Sequence, residues 1–210
     1  PEFPLLKSAV ICMNSMVERT DLWRALVLYE YGGIYTDLDN APRKWNASSV
    51  VDNDDIEAFF EQELNGFLSQ YFMASAPRHP IMYMLVQSIL QRVYSLPDVH
   101  FQYAPFITGP GALKKAGVNF MGAQHWVVNA KWRIERELVS AFWKTNPGNY
   151  TGLANWTLTV APKGTIQRDA IKKKAQIFAS MKMTGYLGTD GRPETNESCL
   201  HRLYEREYYP

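Results

Sequence analysis

Thr20-Asp-Leu-Trp-Arg-Ala-Leu-Val-Leu-Tyr-Glu-Tyr-Gly-Gly-Ile-Tyr-Thr-Asp-Leu-Asp39 is the stretch on which the reading of this chain turns. Residues 17–31 carry apolar side chains at helical spacing, with Leu22, Trp23, Leu26, Leu28 and Tyr29 forming a wide apolar face. Gly32-Gly33 ends that helix, because glycine tolerates the left-handed backbone of a helix C-terminus. Residues 34–39 alternate and predict a short strand, stopped by Pro42, which cannot donate to a ladder. Asp21 and Arg24 are three apart on the helix and share one face. A carboxylate beside a guanidinium can grip vicinal hydroxyls, the acid accepting and the base donating. A helix cap for Asp21, or a plain Asp21–Arg24 bridge, is the alternative. Asp37 and Asp39 are two apart on the predicted strand, so both carboxylates face one way. At about 6 Å and an effective dielectric near 20 they repel by roughly 3 kcal/mol. Such a pair calls for a cation, and hard oxygen ligands suit Mg²⁺ or Mn²⁺.

Outward from this segment the chain reads as an ordinary folded domain. It has 210 residues, 46% hydrophobic and 20% charged, enough to bury a core without disulfide scaffolding. A net charge of +1 argues against a nucleic-acid partner held by bulk charge. No run of about 18 apolar residues occurs, so no membrane span is expected within the chain. Pro1 opens the sequence and residues 5–13 already read as structured. The expectation is a fragment of a longer precursor, one domain over residues 1–210, any membrane anchor lying outside it.

Four N-x-Ser/Thr sequons occur, at Asn46, Asn149, Asn155 and Asn196. With 11 Asn and 22 Ser plus Thr, chance gives about one. The excess points to a secretory-pathway lumen such as the Golgi. Cys12 and Cys199 are an even pair that an oxidising lumen allows to bridge; a buried thiol at Cys12 is the other reading.

Further along, residues 51–65 are acidic and read as a solvated loop and helix face. Residues 67–76 predict a strand, and residues 80–94 a helix with Pro80 in its first turn and His79 serving its start. Thr108-Gly-Pro-Gly predicts a turn opening a short helix at 112–116. Residues 119–132 read as strand-rich, 170–183 as a helix bearing Lys172, Lys173 and Lys174, and 185–196 as loop. Helix and strand mixed along the whole length predict an α/β fold.

The segment from Asp21 to Asp39 resembles the sugar-binding region of the DXD-containing glycosyltransferases of family 32. Their pattern, an Asp-x-x-Arg helix and then Gly-Gly-x-Tyr-x-Asp-x-Asp, matches Asp21, Arg24, Gly32, Gly33, Tyr35, Asp37 and Asp39. Asn65-Gly-Phe, the stretch from Phe72 to Pro80, and Thr108-Gly-Pro110 add weaker likeness, so the resemblance covers about residues 17–115. It implies a GT-A-like fold, a Rossmann-like mixed sheet flanked by helices that binds a nucleotide-sugar donor and a divalent metal. It implies a retaining hexosyltransferase acting on a glycan or lipid acceptor. By the same likeness Asp21, Arg24, Tyr35 and Gly33 lie at the donor sugar. Asp37 and Asp39 are the catalytic carboxylates, Asp39 ligating Mn²⁺ or Mg²⁺ directly and Asp37 assisting.

Two departures stand out. Only 36 residues precede Asp37, so the family's first nucleotide-binding strand is expected to be shortened or missing. The C-terminal end reads Cys-Leu-His-Arg-Leu-Tyr204 without a Ser-Trp pair, leaving His201 as a metal contact or a plain surface or core histidine. Two other classes compete. A phosphatase of the HAD type would use Asp37 as nucleophile and Asp39 as acid, but position 41 is Ala and no late acidic pair is evident. A non-catalytic sugar- or nucleotide-binding domain would keep the motif without turnover.

Overall fold

The computed structural model describes residues 2–13, 16–38, 40–42, 46–52, 56–63, 67–95, 104–125, 148–166 and 168–170. Asp39, the residues from 171 onward, and hence the readings at 170–183, 185–196, Cys199 and His201, lie outside them.

The chain opens with α1 (Leu6–Cys12) and α2 (Met16–Tyr31). The helix expected at 17–31 is therefore present. Leu22, Leu28 and Tyr29 are buried as its periodicity requires, whereas Trp23 points out and is 57% exposed. Gly32 then takes φ +68° and its N–H closes on the Leu28 carbonyl. A side chain there would sit 2.7 Å from Pro77, so both conformation and space demand glycine. β1 (Gly33–Thr36) follows and is shorter than expected, ending before Asp37. Asp37 still donates its backbone N–H to Tyr71, but it belongs to the turn after the strand, so the one-face argument for two strand carboxylates does not describe it. Pro42 does not simply stop the chain: it is the last residue of β2 (Asn40–Pro42), which pairs antiparallel with β7 (Arg168–Ala170).

After α3 (Ser48–Val51) comes β3 (Ala58–Gln62), every residue of it buried. The solvated acidic face expected at 51–65 is wrong for these positions. The glutamates brace the sheet: Glu57 accepts the Thr157 N–H at 2.6 Å, and Glu61, 1% exposed, accepts the Tyr71 hydroxyl at 2.8 Å and the Gly164 N–H. β4 (Leu68–Ser75) and α4 (Pro80–Ser95) stand where the sequence places them. His79 starts α4 by accepting the Ile81 N–H on Nδ1 while Nε2 bonds the Thr157 carbonyl.

α5 (Ala104–Ile107) leads through Thr108-Gly109 into α6 (Pro110–His125). α6 runs far beyond the short helix expected, and it replaces the strand expected from residue 119 as far as His125. Its apolar stripe of Leu113, Ala116, Phe120 and Met121 is buried. β5 (Gly148–Thr151), β6 (Thr157–Ala161) and β7 complete the described elements.

The main sheet has five strands in the order β1-β4-β3-β6-β5. It is mixed: β3 runs parallel to β6, and the other neighbours are antiparallel. The α/β class expected from the sequence is the one observed. One face packs against α1, α2, α4 and α6 in a core holding Leu22, Phe60, Met73, Leu85, Ile89 and Phe120. The other buries Phe59, Phe72 and Ala74 against Val50 and Ile166. Among the described residues no helix is long and apolar enough to cross a membrane. Cys12 is 3% exposed and disulfide-bonded, which excludes a free thiol there.

Candidate functional site

The sheet positions the site at its β1 edge, where α2, the end of β1 and a distorted part of β4 meet. β4 pairs regularly with β1 through Thr36↔Phe72. Against β3 its register jumps from Phe60↔Met73 to Gln62↔Leu68, so Ser69 to Phe72 lie opposite the single residue Glu61. Such a bulge bends the strand and re-aims its side chains. Here it turns Gln70, 2% exposed, onto Arg24, and Ser69 stitches it by donating to the Phe72 carbonyl at 3.2 Å.

Arg24 is the hub. Its Nη2 donates to Asp21 Oδ1 and, at 2.8 Å, to Gln70 Oε1. Its Nη1 donates to the Gln70 carbonyl at 3.1 Å and lies 3.4 Å from Asp37 Oδ1 and 3.5 Å from the Tyr35 hydroxyl. The guanidinium also sits 5.1 Å from the Tyr35 ring centre, within cation–π range. Asp21 Oδ2 accepts the Thr108 hydroxyl at 2.6 Å. Gln70 Nε2 donates to the Thr108 carbonyl at 3.2 Å, closing a ring of four residues from three parts of the chain.

Asp21 and Arg24 are thus 3% and 8% exposed. They do share a face and do pair, and that face is buried. Both Asp21 oxygens are engaged inside the protein. Arg24 Nε is buried without a hydrogen-bond partner among the described residues.

The more open part of the site is Tyr35 and Asp37. The Asp37 side chain keeps 32% of its surface exposed. Tyr35 donates its hydroxyl to Asp37 Oδ1 at 2.9 Å. Burial, then the nearby Asp37 carboxylate, pushes the Tyr35 phenol above its usual pKa against the opposing pull of Arg24, so it stays a neutral donor. Among the described residues these contacts fall on Oδ1 of Asp37. A half-exposed carboxylate with its second oxygen outside those contacts is a chemically suitable donor for a hard divalent cation. Among the described residues no three His, Cys, Asp or Glu side chains gather as a metal cluster. Gly33, at φ +101°, has open space where a side chain would stand.

The structure therefore brings Asp21, Arg24, Tyr35 and Asp37 into one network and sets Gly33 at its start; Asp39 lies outside the described residues. Sequence reasoning missed Gln70 altogether. The signal available was Ser69-Gln70 interrupting an otherwise apolar strand. Thr108 was noticed only as part of a turn, and its hydroxyl proves to be its contribution to the site.

The Asp-x-x-Arg helix, the Gly-Gly turn and the Tyr-x-Asp strand end all lie within one segment that resembles a known family. Residues 3–57 match the family model described as the glycosyltransferase sugar-binding region containing DXD motif. The resemblance read from Asp21 to Asp39 is borne out to this extent: that segment lies wholly within the matched residues. It is similar to the initiation-specific alpha-1,6-mannosyltransferase of Schizosaccharomyces pombe, at 28% identity over 143 residues, covering 57% of this chain and 36% of the relative. The chain thus spans about a third of that relative's length. No solved structure matches it significantly.

Proposed function

We propose that this chain is the donor-binding part of a metal-dependent hexosyltransferase that moves a sugar from a nucleoside diphosphate to a glycan acceptor with retention of configuration. The observation that carries the reading is the convergence of Arg24, Tyr35 and Asp37 at the end of β1, inside the segment that matches the sugar-binding region. On this reading Arg24, held by Asp21, directs its guanidinium at the sugar hydroxyls beside Tyr35, and Gly33 lets the donor approach the backbone. Asp37 and Asp39 hold Mn²⁺ or Mg²⁺. A divalent ion bound there supplies charge neutralisation for the leaving diphosphate. The sheet and its helices then serve as a GT-A-like scaffold, residues 1–210 forming one domain of a longer protein. The lumen of the secretory pathway, the Golgi in particular, is the compartment we assign.

The test is hydrolysis or transfer with GDP- and UDP-hexoses in the presence and absence of Mn²⁺. A transferase releases nucleoside diphosphate, a phosphatase would release inorganic phosphate, and a domain that only binds would release neither. Millimolar Mn²⁺ with nucleoside diphosphate should raise the melting temperature of the parent and not that of Asp39→Asn, since a ligand bound only by the folded state stabilises it. A parent that shows neither donor cleavage nor a thermal response would remove the catalytic reading.

A further inference from the structure

We propose that Gln70 and Thr108 are positioning residues that set the direction of the Arg24 guanidinium, and so govern recognition of the hexose moiety of the donor and not of its nucleotide. This rests on the function proposed above. The ring Asp21–Arg24–Gln70–Thr108 closes through the side chains of Gln70 and Thr108. Gln70 takes both Arg24 nitrogens, Nη2 by its side chain at 2.8 Å and Nη1 by its carbonyl at 3.1 Å. Thr108 holds the second oxygen of Asp21 at 2.6 Å and its carbonyl orients the Gln70 amide at 3.2 Å. An amide can be reversed with little change in shape; here the bond from Nε2 to the Thr108 carbonyl fixes which end faces Arg24. With Nη2 wholly engaged, Nη1 is the corner of the fork left towards Tyr35 and Asp37.

The three supports come from α2, the β4 bulge and the turn between α5 and α6. Gln70, Thr108 and Asp21 are at most 3% exposed, so the frame is built before any ligand arrives. Preorganised donors give their full interaction only when their own orientation is fixed. Neither Gln70 nor Thr108 reaches the open side of the site, which makes their effect indirect.

The experiment uses Thr108→Val, which keeps shape and removes the hydroxyl, Gln70→Leu, which removes the amide, and Thr108→Ser as the conservative rescue. Binding of GDP-mannose and GDP, and in parallel UDP-glucose and UDP, is measured by calorimetry with Mn²⁺. Thr108→Val and Gln70→Leu are each expected to weaken the nucleotide sugar by about tenfold or more, the loss for one mispositioned hydrogen bond to a charged group. Binding of the free nucleoside diphosphate should be unchanged, and Thr108→Ser should restore nucleotide-sugar binding. Equal loss of both ligands, normal binding by folded variants, or unfolding of both Thr108→Val and Gln70→Leu would reduce the ring to a core brace and overturn the proposal. A parent that binds none of the four ligands would instead overturn the proposed function, and this inference with it.

Discussion

Arg24 is a buried cation whose charge is met by the buried Asp21 carboxylate, by the partly exposed Asp37 carboxylate at 3.4 Å and by the neutral acceptors of Gln70. Breaking such a pair from one side leaves the other charge desolvated, which costs about 3–5 kcal/mol. Arg24→Ala should therefore lower the urea midpoint strongly, by an amount equivalent to about 3 kcal/mol, and Arg24→Lys should recover little, since an ammonium cannot serve Nη1 and Nη2 partners at once. An unchanged midpoint in Arg24→Ala would show that the network contributes nothing to the fold. The burial of both charges is what makes the loss of either costly to the fold. His79 gives a second residue-scale expectation. Its ring packs against Phe120 and Trp156, and burial lowers its pKa to about 4, partly opposed by the Thr157 carbonyl. The folded state thus favours neutral imidazole. Its contribution is complete above pH 6.5 and is lost as pH falls from there towards 4. Between pH 7.5 and 5.5 the parent should lose about 1 kcal/mol more than His79→Gln in denaturant unfolding. Parallel pH profiles would show that His79 takes up its proton equally in the folded and unfolded states.

At the scale of elements, the turn between α2 and β1 decides where Arg24 meets Asp37. Gly32 and Gly33 both take positive φ, but only Gly32 is also hemmed in, by Pro77 and the Ser75 carbonyl at 2.7–2.9 Å. Gly32→Ala should therefore cost more than the about 1–2 kcal/mol of a left-handed alanine, and Gly33→Ala should stay near that value. Equal Tm losses would mean the contact with Pro77 relaxes freely. This turn was legible in the sequence because glycine identity and helix periodicity are local signals. So were α2, β4 and α4, each a long patterned run ended by glycine or proline. β3 was not: Glu57, Glu61 and Glu63 read as solvated, and nothing local announces that Glu61 will be covered by Tyr71 and Gly164, about a hundred residues further on in the second case. α6 was misjudged beyond its first turns because Val118 and Phe120 suit a strand locally, and packing on α4 and the sheet overrides that preference. The bulge in β4 is equally invisible, since it depends on β1 and β3 gripping the strand in different registers. Half of the site, the Asp-x-x-Arg and Tyr-x-Asp residues, was therefore readable, and the half that orients it was not.

At the scale of the whole molecule, the surface and the covalent framework carry a common expectation about compartment. Asn46, Asn149 and Asn155 all lie on the surface, two of them close to each other around β5 and the turn before β6. Asn155 sits at φ +65°, a conformation asparagine accepts more readily than most residues. Exposure is what an oligosaccharide attached at a sequon requires. Cys12, by contrast, is deep in the core and disulfide-bonded, and the chain has one other cysteine, Cys199. A bond from Cys12 to Cys199 would restrain the unfolded chain through a very long loop, for which the chain-entropy account gives about 5 kcal/mol. Such a bond persists where the surroundings are oxidising. Protein from a eukaryotic secretory host should accordingly lose apparent mass on N-glycosidase treatment. Without reduction, the proteolytic peptide holding Cys12 should be recovered joined to the one holding Cys199, and reduction should lower the melting temperature. The two measurements are independent. Material with neither glycan nor cross-link would place the protein outside the secretory lumen, whereas a cross-link without glycans would leave the compartment intact and show that the exposed sequons are not used.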